Sequence, residues 1–128
     1  MNAATSRILV VDEEAQIRKL LRTVLARAGY EVQTARTAEE AIGTWGPSMS
    51  FDAVISETNL SGMDGHEFAR QMAVRCPGSR MIFVSASDTG CEACPHARQC
   101  PSIRKPFDPS EVVRTVSGIL AARTRLPN

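Results

Sequence analysis

Residues 51–65 read FDAVISETNLSGMDG. Phe51 to Ser56 predicts a strand buried in a sheet, because a short apolar run rich in β-branched residues suits a strand covered on both faces. SGMDG, at 61–65, predicts a turn that opens into a helix running from about Gly65 to Arg75. Between the two stands Glu57, a carboxylate at the mouth of the sheet. The rest of the chain decides whether it is a nucleophile, a metal ligand, a permanent charge or a surface residue.

Working outward, RILVV at 7–11 is a second run of the same kind. Ile17, Leu20, Leu21, Val24, Leu25 and Ala28 then recur at spacings of three and four, forming one apolar helical stripe with Gly29 as its stop. YEVQTA at 30–35 is a strand. Thr37 and Glu40 form a capping box for a helix that GP at 46–47 ends, and Trp45 packs at its end. RMIFVSA at 80–86 is the fourth strand, and SIRK at 102–105 carries a short fifth. Asp108, Pro109 and Glu111 supply N-cap, N1 and N3 of a last helix bearing Val112, Val113, Val116, Ile119 and Leu120.

Strands alternating with helices imply an α/β, doubly wound, five-stranded parallel sheet with right-handed crossovers. The functional crevice of such a sheet lies at the carboxyl ends of its strands. Asp12, Glu13, Glu57, Ser85 and Lys105 all fall there. A single acid after a strand is ordinarily a helix cap. Three carboxylates, a hydroxyl and a lysine on one edge point to a site.

The chain has 128 residues, enough for one domain, expected at 7–122 with tails at 1–6 and 123–128. Fifteen basic and fourteen acidic residues leave a formal charge of +1. That balance gives neither an electrostatic footprint for nucleic acid nor a polybasic membrane signal. MNAATSR at the start lacks an apolar signal-peptide core, and no run approaches membrane length, so a cytoplasmic location is expected.

ILVVDEE, DAVISETNLSGMDGHEFA, MIFVSAS and KPF, in this order and spacing over about residues 7–122, resemble the receiver domain of two-component response regulators. The resemblance implies a flavodoxin-like receiver fold. By that resemblance Asp12 and Glu13 match the acidic pair that holds Mg²⁺, and Asn59 the position whose carbonyl completes the metal site. Glu57 falls on the phospho-acceptor aspartate, Ser85 on the switch hydroxyl, and Lys105 on the lysine that pairs with the phosphoryl group.

Four departures accompany the resemblance. Glu57 replaces aspartate, Ser61 stands where the family has proline, and Ser102 occupies the aromatic switch position. The segment before SIRK is shortened and carries CEACPHARQCP in place of an amphipathic helix. In-line phosphoryl transfer rests on positioning, and about 1 Å of misplacement costs on the order of 100-fold. The added methylene of Glu57 moves the carboxylate into the space of the phosphoryl group and crowds the metal. It also presents a permanent charge of −1, against roughly −1.5 to −2 for a phosphoryl group. Glu57 therefore reads as a phosphomimetic or as an inert relic held by Lys105, with an ordinary phospho-receiver accepting phosphate on Glu57 as the further alternative.

Cys91, Cys94 and Cys100, with His96 among them, spell C-x2-C-x-H-x3-C. Three thiolates and an imidazole suit tetrahedral zinc, and the thiols also suit part of an iron–sulfur cluster or a redox pair. The bland alternative is that they are small apolar side chains replacing a helix face. Cys76 and His66 read as structural and solvent-facing, respectively.

The expectation is a stand-alone atypical receiver, without enzymatic activity since no Gly-rich phosphate loop or nucleophile–base pair occurs. It signals by contact with a protein partner (a histidine kinase, another regulator or an effector), as a monomer or weak homodimer, without nucleic acid or membrane. The competing class is a metal- or redox-sensing module built on the receiver scaffold.

Overall fold

The computed structural model describes residues 6–45, 51–57, 59–60, 63–75, 78–85 and 102–125. In chain order the elements are β1 (Arg7–Val11), α1 (Ala15–Arg27), β2 (Glu31–Ala35), α2 (Ala38–Trp45), β3 (Ala53–Glu57), β4 (Asn59–Leu60), β5 (Met63–Asp64), α3 (Gly65–Arg75), β6 (Arg80–Ser85), β7 (Ser102–Arg104) and α4 (Pro109–Arg125). Five strands form one parallel sheet in the order β2-β1-β3-β6-β7. The order reverses at β1, whose neighbours are β2 on one side and β3 on the other, and this opens a crevice at the carboxyl ends of β1 and β3.

Alternation along the central strands builds two cores. Ile8 and Val10 of β1, Ile55 of β3 and Ile82 and Val84 of β6 pack with Leu21 and Leu25 of α1 and Val112 and Val116 of α4. Leu9 and Val11 point the other way, with Val54, to meet Ala38 and Ala41 of α2 and Phe68 and Met72 of α3. Each fully buried branched side chain contributes about 1.5–3 kcal/mol. Covering both faces explains why RILVV and AVIS carry almost no polar residue. The expected α/β doubly wound class is the fold observed.

Local chemistry sets the element ends. The Thr37 hydroxyl accepts the Glu40 N–H at 3.0 Å, while Glu40 Oε1 accepts from Arg36 N–H rather than from Thr37. Asp108 Oδ1 accepts the Ser110 N–H at 3.0 Å ahead of α4. Gly29 lies at φ +102°, a left-handed conformation that side chains resist, just past the end of α1.

Several expectations shift in detail. β3 begins at Ala53, since Asp52 instead brackets β1: its Oδ2 accepts the Arg7 N–H at 2.8 Å, and its own N–H donates to the Arg7 carbonyl. The α1 stripe is narrower than its spacing suggests, with Leu20 and Ala28 exposed. Part of the expected turn after β3 is a small antiparallel ladder, Asn59 opposite Asp64. Structure continues past both ends of the expected domain: the Ser6 carbonyl accepts from Glu31, and α4 runs to Arg125. Ser61, Cys76, the shortened stretch after β6 and the cysteine segment with Cys91, Cys94, His96 and Cys100 lie outside the described residues. No helix among the described residues is long and apolar enough to cross a membrane.

Candidate functional site

The carboxyl edge of the sheet brings together residues far apart in the chain. Asp12 follows β1 and is 2% exposed. Its backbone is fixed from two sides, the N–H donating to the Ala35 carbonyl at 3.2 Å and the carbonyl accepting from Arg18 Nη1 at 2.7 Å. Asp12 Oδ1 accepts the Glu14 N–H at 2.9 Å, which turns the chain into α1. Glu57 closes β3 as its last residue, paired in register with Val84 of β6. Beneath it the buried Ser56 hydroxyl donates to the Glu57 carbonyl at 2.9 Å.

Lys105, one residue past β7, reaches across this edge with its side chain 13% exposed. The ammonium contacts Asp12 Oδ2 at 3.1 Å, Glu57 Oε1 at 3.3 Å and Glu14 Oε1 at 3.4 Å. An ammonium has three N–H donors, and here each meets one carboxylate. Three carboxylates around one ammonium leave the cluster negative.

That imbalance is visible in the ionisation of its members. The Glu57 carboxyl titrates above its ordinary 4.5, first because it is partly buried and next because Asp12 places a negative charge beside it; Lys105 works in the opposite direction without cancelling the rise. Burial opposes the Lys105 ammonium, yet hydrogen bonding and charge from Asp12, joined by Glu57, hold its pKa above the ordinary 10.5. Asp12 is thus the primary anchor of the lysine, and Glu57 the more strained carboxylate.

Of the residues expected at the site, the structure brings Asp12, Glu57 and Lys105 into direct contact. Ser85 ends β6 at the same edge, paired with Arg104 beside Lys105. Glu13 adjoins Asp12 as an exposed residue, and Asn59 begins β4 two residues beyond Glu57. Glu14 is the residue that sequence reasoning missed. Its signal was the third acid of DEE, which reads equally well as a plain helix N-cap.

The donor set is all oxygen, the chemistry that Mg²⁺ takes. No group of three or more acidic, histidine or cysteine side chains converges as a ready-made cage among the described residues. Magnesium needs only one or two carboxylates and keeps several waters. After burial, the Asp12 charge is the next cause that raises Glu57, and a cation would relieve that repulsion. The residues therefore fit the ion.

The response regulator receiver domain family matches residues 8–117. The chain is 34% identical over 117 residues to the transcriptional regulatory protein ResD of Bacillus subtilis, covering 90% of this chain and 48% of that protein. It is 32% identical to the DNA-binding transcriptional regulator NtrC of Azospirillum brasilense, covering 97% of this chain and 26% of that one. The chain thus spans less than two thirds of the length of either. Among solved structures, the response regulator TrrA of Thermotoga maritima, in complex with Mg²⁺–BeF, superposes with a TM-score of 0.78 at 30% identity, covering 90% of this chain and 99% of that one. The chemotaxis response regulator CheY4 of Vibrio cholerae gives a TM-score of 0.79 at 26% identity, covering 91% and 99%.

Proposed function

This chain belongs to the response regulator receiver domain family of two-component signal transduction, and from that premise we propose that Glu57 substitutes a permanent charge for phosphorylation. The observation that carries the reading is the contact from Lys105 Nζ to Glu57 Oε1 at 3.3 Å. The lysine that resemblance assigns to the phosphoryl group is already engaged by a carboxylate one methylene longer than aspartate. Geometry opposes transfer, since a nucleophile displaced by about 1 Å loses on the order of 100-fold in rate.

The mimicry is partial. A carboxylate carries −1 where a phosphoryl group carries roughly −1.5 to −2, and it has fewer acceptor oxygens. Ser102, exposed in β7, lacks the bulk of an aromatic switch, so the signal leaves through the loops at the carboxyl edge rather than through an inward-turning ring. Asp12, Glu13, Glu57 and the Asn59 carbonyl would hold Mg²⁺, which when bound neutralises charge at this edge. The chain's own residues orient Lys105, keep the Asp12 carboxylate shielded from water, and hold the β3 terminus in place. The output is contact with a protein partner, a histidine kinase, another regulator or an effector.

Glu57→Gln tests this reading against an inert relic. Replacing the carboxylate removes one of the three charges that contact Lys105 while keeping the shape. If Glu57 sets the conformation of the edge, amide exchange at Glu57, Leu60 and Lys105 accelerates in the variant. Unchanged exchange at all three positions makes Glu57 a relic.

A further inference from the structure

On the flank of α1 turned towards edge strand β2 lies a groove of about 490 Å³, lined among others by Arg18, Lys19, Arg22, Thr23, Ala26 and Thr34. We propose that this groove is a docking site for an acidic polypeptide segment of a partner protein. It is separate from the carboxylate site and does not depend on the role given to Glu57. It also lies on the other flank of α1 from Ile17 and Leu20, which border Pro106 and Phe107.

The charge pattern of α1 carries the argument. Between Ala15 and Arg27 the helix has Arg18, Lys19, Arg22 and Arg27 and no acid, in a chain whose overall charge is only +1. Three of these cations line the groove. No carboxylate forms an ion pair with Lys19 or Arg22 among the described residues, and both are exposed.

This placement works against the helix itself. Arg18 closes the first turn of α1, where the helix dipole disfavours positive charge. Arg18 and Arg22 are four apart, and Lys19 and Arg22 three apart, spacings at which like charges repel. The packing of α1 does not require Lys19 or Arg22, because its buried contacts come from Leu21 and Leu25, whereas Arg18 also holds the Asp12 carbonyl. A carboxylate-bearing segment relieves the repulsion. Ala26, Thr23 and Thr34 give the groove short side chains on which a backbone can lie.

A protein occupant fits better than nucleic acid. The patch is confined to one helical flank, and the near-neutral chain supplies no extended field for a polyanion. Arg18 also gives the groove a route to the carboxylate site, since the same guanidinium donates to the Asp12 carbonyl at 2.7 Å.

The test uses the full chain, isotope-labelled, titrated with a synthetic oligo-glutamate peptide and separately with oligothymidylate carrying the same number of charges. The expected result is chemical-shift change concentrated at Arg18, Lys19, Arg22, Thr23 and Thr34. Affinity for the peptide should drop by about tenfold or more in Lys19→Glu/Arg22→Glu, a change typical of losing paired charges at an interface. Thermal unfolding of that variant should occur at an equal or higher temperature, because the self-repulsion is gone; a variant that fails to fold contradicts the claim that packing does not need these cations. Shift changes spread evenly over the other arginines, unaltered affinity in the double variant, or tighter binding of oligothymidylate in the groove would each overturn the proposal.

Discussion

Lys105 lies closer to Asp12 than to Glu57, 3.1 Å against 3.3 Å, and of the two carboxylates Asp12 is the more deeply buried. The lysine is therefore anchored at β1 and only then reaches β3. Removing one partner of a buried pair leaves a charge uncompensated and costs about 3 kcal/mol or more. Asp12→Asn should lose less than that in urea unfolding at neutral pH, about 1.5–3 kcal/mol, because Glu57 and Glu14 still contact Lys105. Glu57→Gln should change it by less than about 1 kcal/mol, since burial and Asp12 already disfavour the charged Glu57. The two variants thus separate a structural carboxylate from one held at a local cost.

The pH dependence has a definite sign. Glu57 titrates above 4.5 in the folded chain, so its contribution to stability is full below that value and declines as pH rises through the folded pKa. Lys105 titrates above 10.5, so what its charge contributes is present below that value and lost at higher pH. Stability of wild type relative to Glu57→Gln, measured by urea unfolding at successive pH values, should decrease from acid towards neutral pH. A difference that increases with pH would contradict the electrostatic account.

Sheet geometry gives an internal control. Ile55 lies at the centre of the sheet, opposite Val10 and Ile82, and is 1% exposed. Ile55→Ala should cost about 2–5 kcal/mol. Val74, 75% exposed on α3, should tolerate alanine within about 0.5 kcal/mol.

The cap of α2 is testable in the same way. The Thr37 hydroxyl satisfies one otherwise unpaired N–H of the first turn. Thr37→Ala should cost about 1 kcal/mol, and Thr37→Ser should restore most of it.

Much of this architecture was legible because the signals are local. RILVV, the Gly65–Arg75 helix and the Asp108-Pro109 start of α4 announce themselves within a few residues, and the observed elements begin or end at those positions. The parallel order follows from alternation of strands and helices. What escaped was tertiary. Glu14 meets Lys105 across 91 positions of sequence, and no local pattern separates that role from helix capping. Asp52 looked like the start of a strand, yet its side chain closes a hydrogen bond to Arg7, 45 positions away. Leu20 fits the helical period but falls at the rim of the buried stripe, where spacing alone cannot fix the width.

The most direct test of the central claim is intact-mass measurement after incubation with acetyl phosphate and Mg²⁺. If Glu57 acts as proposed, no phosphoryl adduct forms on the wild-type chain: Lys105 contacts Glu57 at 3.3 Å, and a carboxylate one methylene longer than aspartate misplaces the attacking oxygen. One adduct is expected on Glu57→Asp, in which Asp12, Glu13 and Lys105 remain and the acceptor is withdrawn by one methylene. A stoichiometric acyl phosphate on wild-type Glu57 would contradict the account and return the chain to the ordinary phospho-receivers.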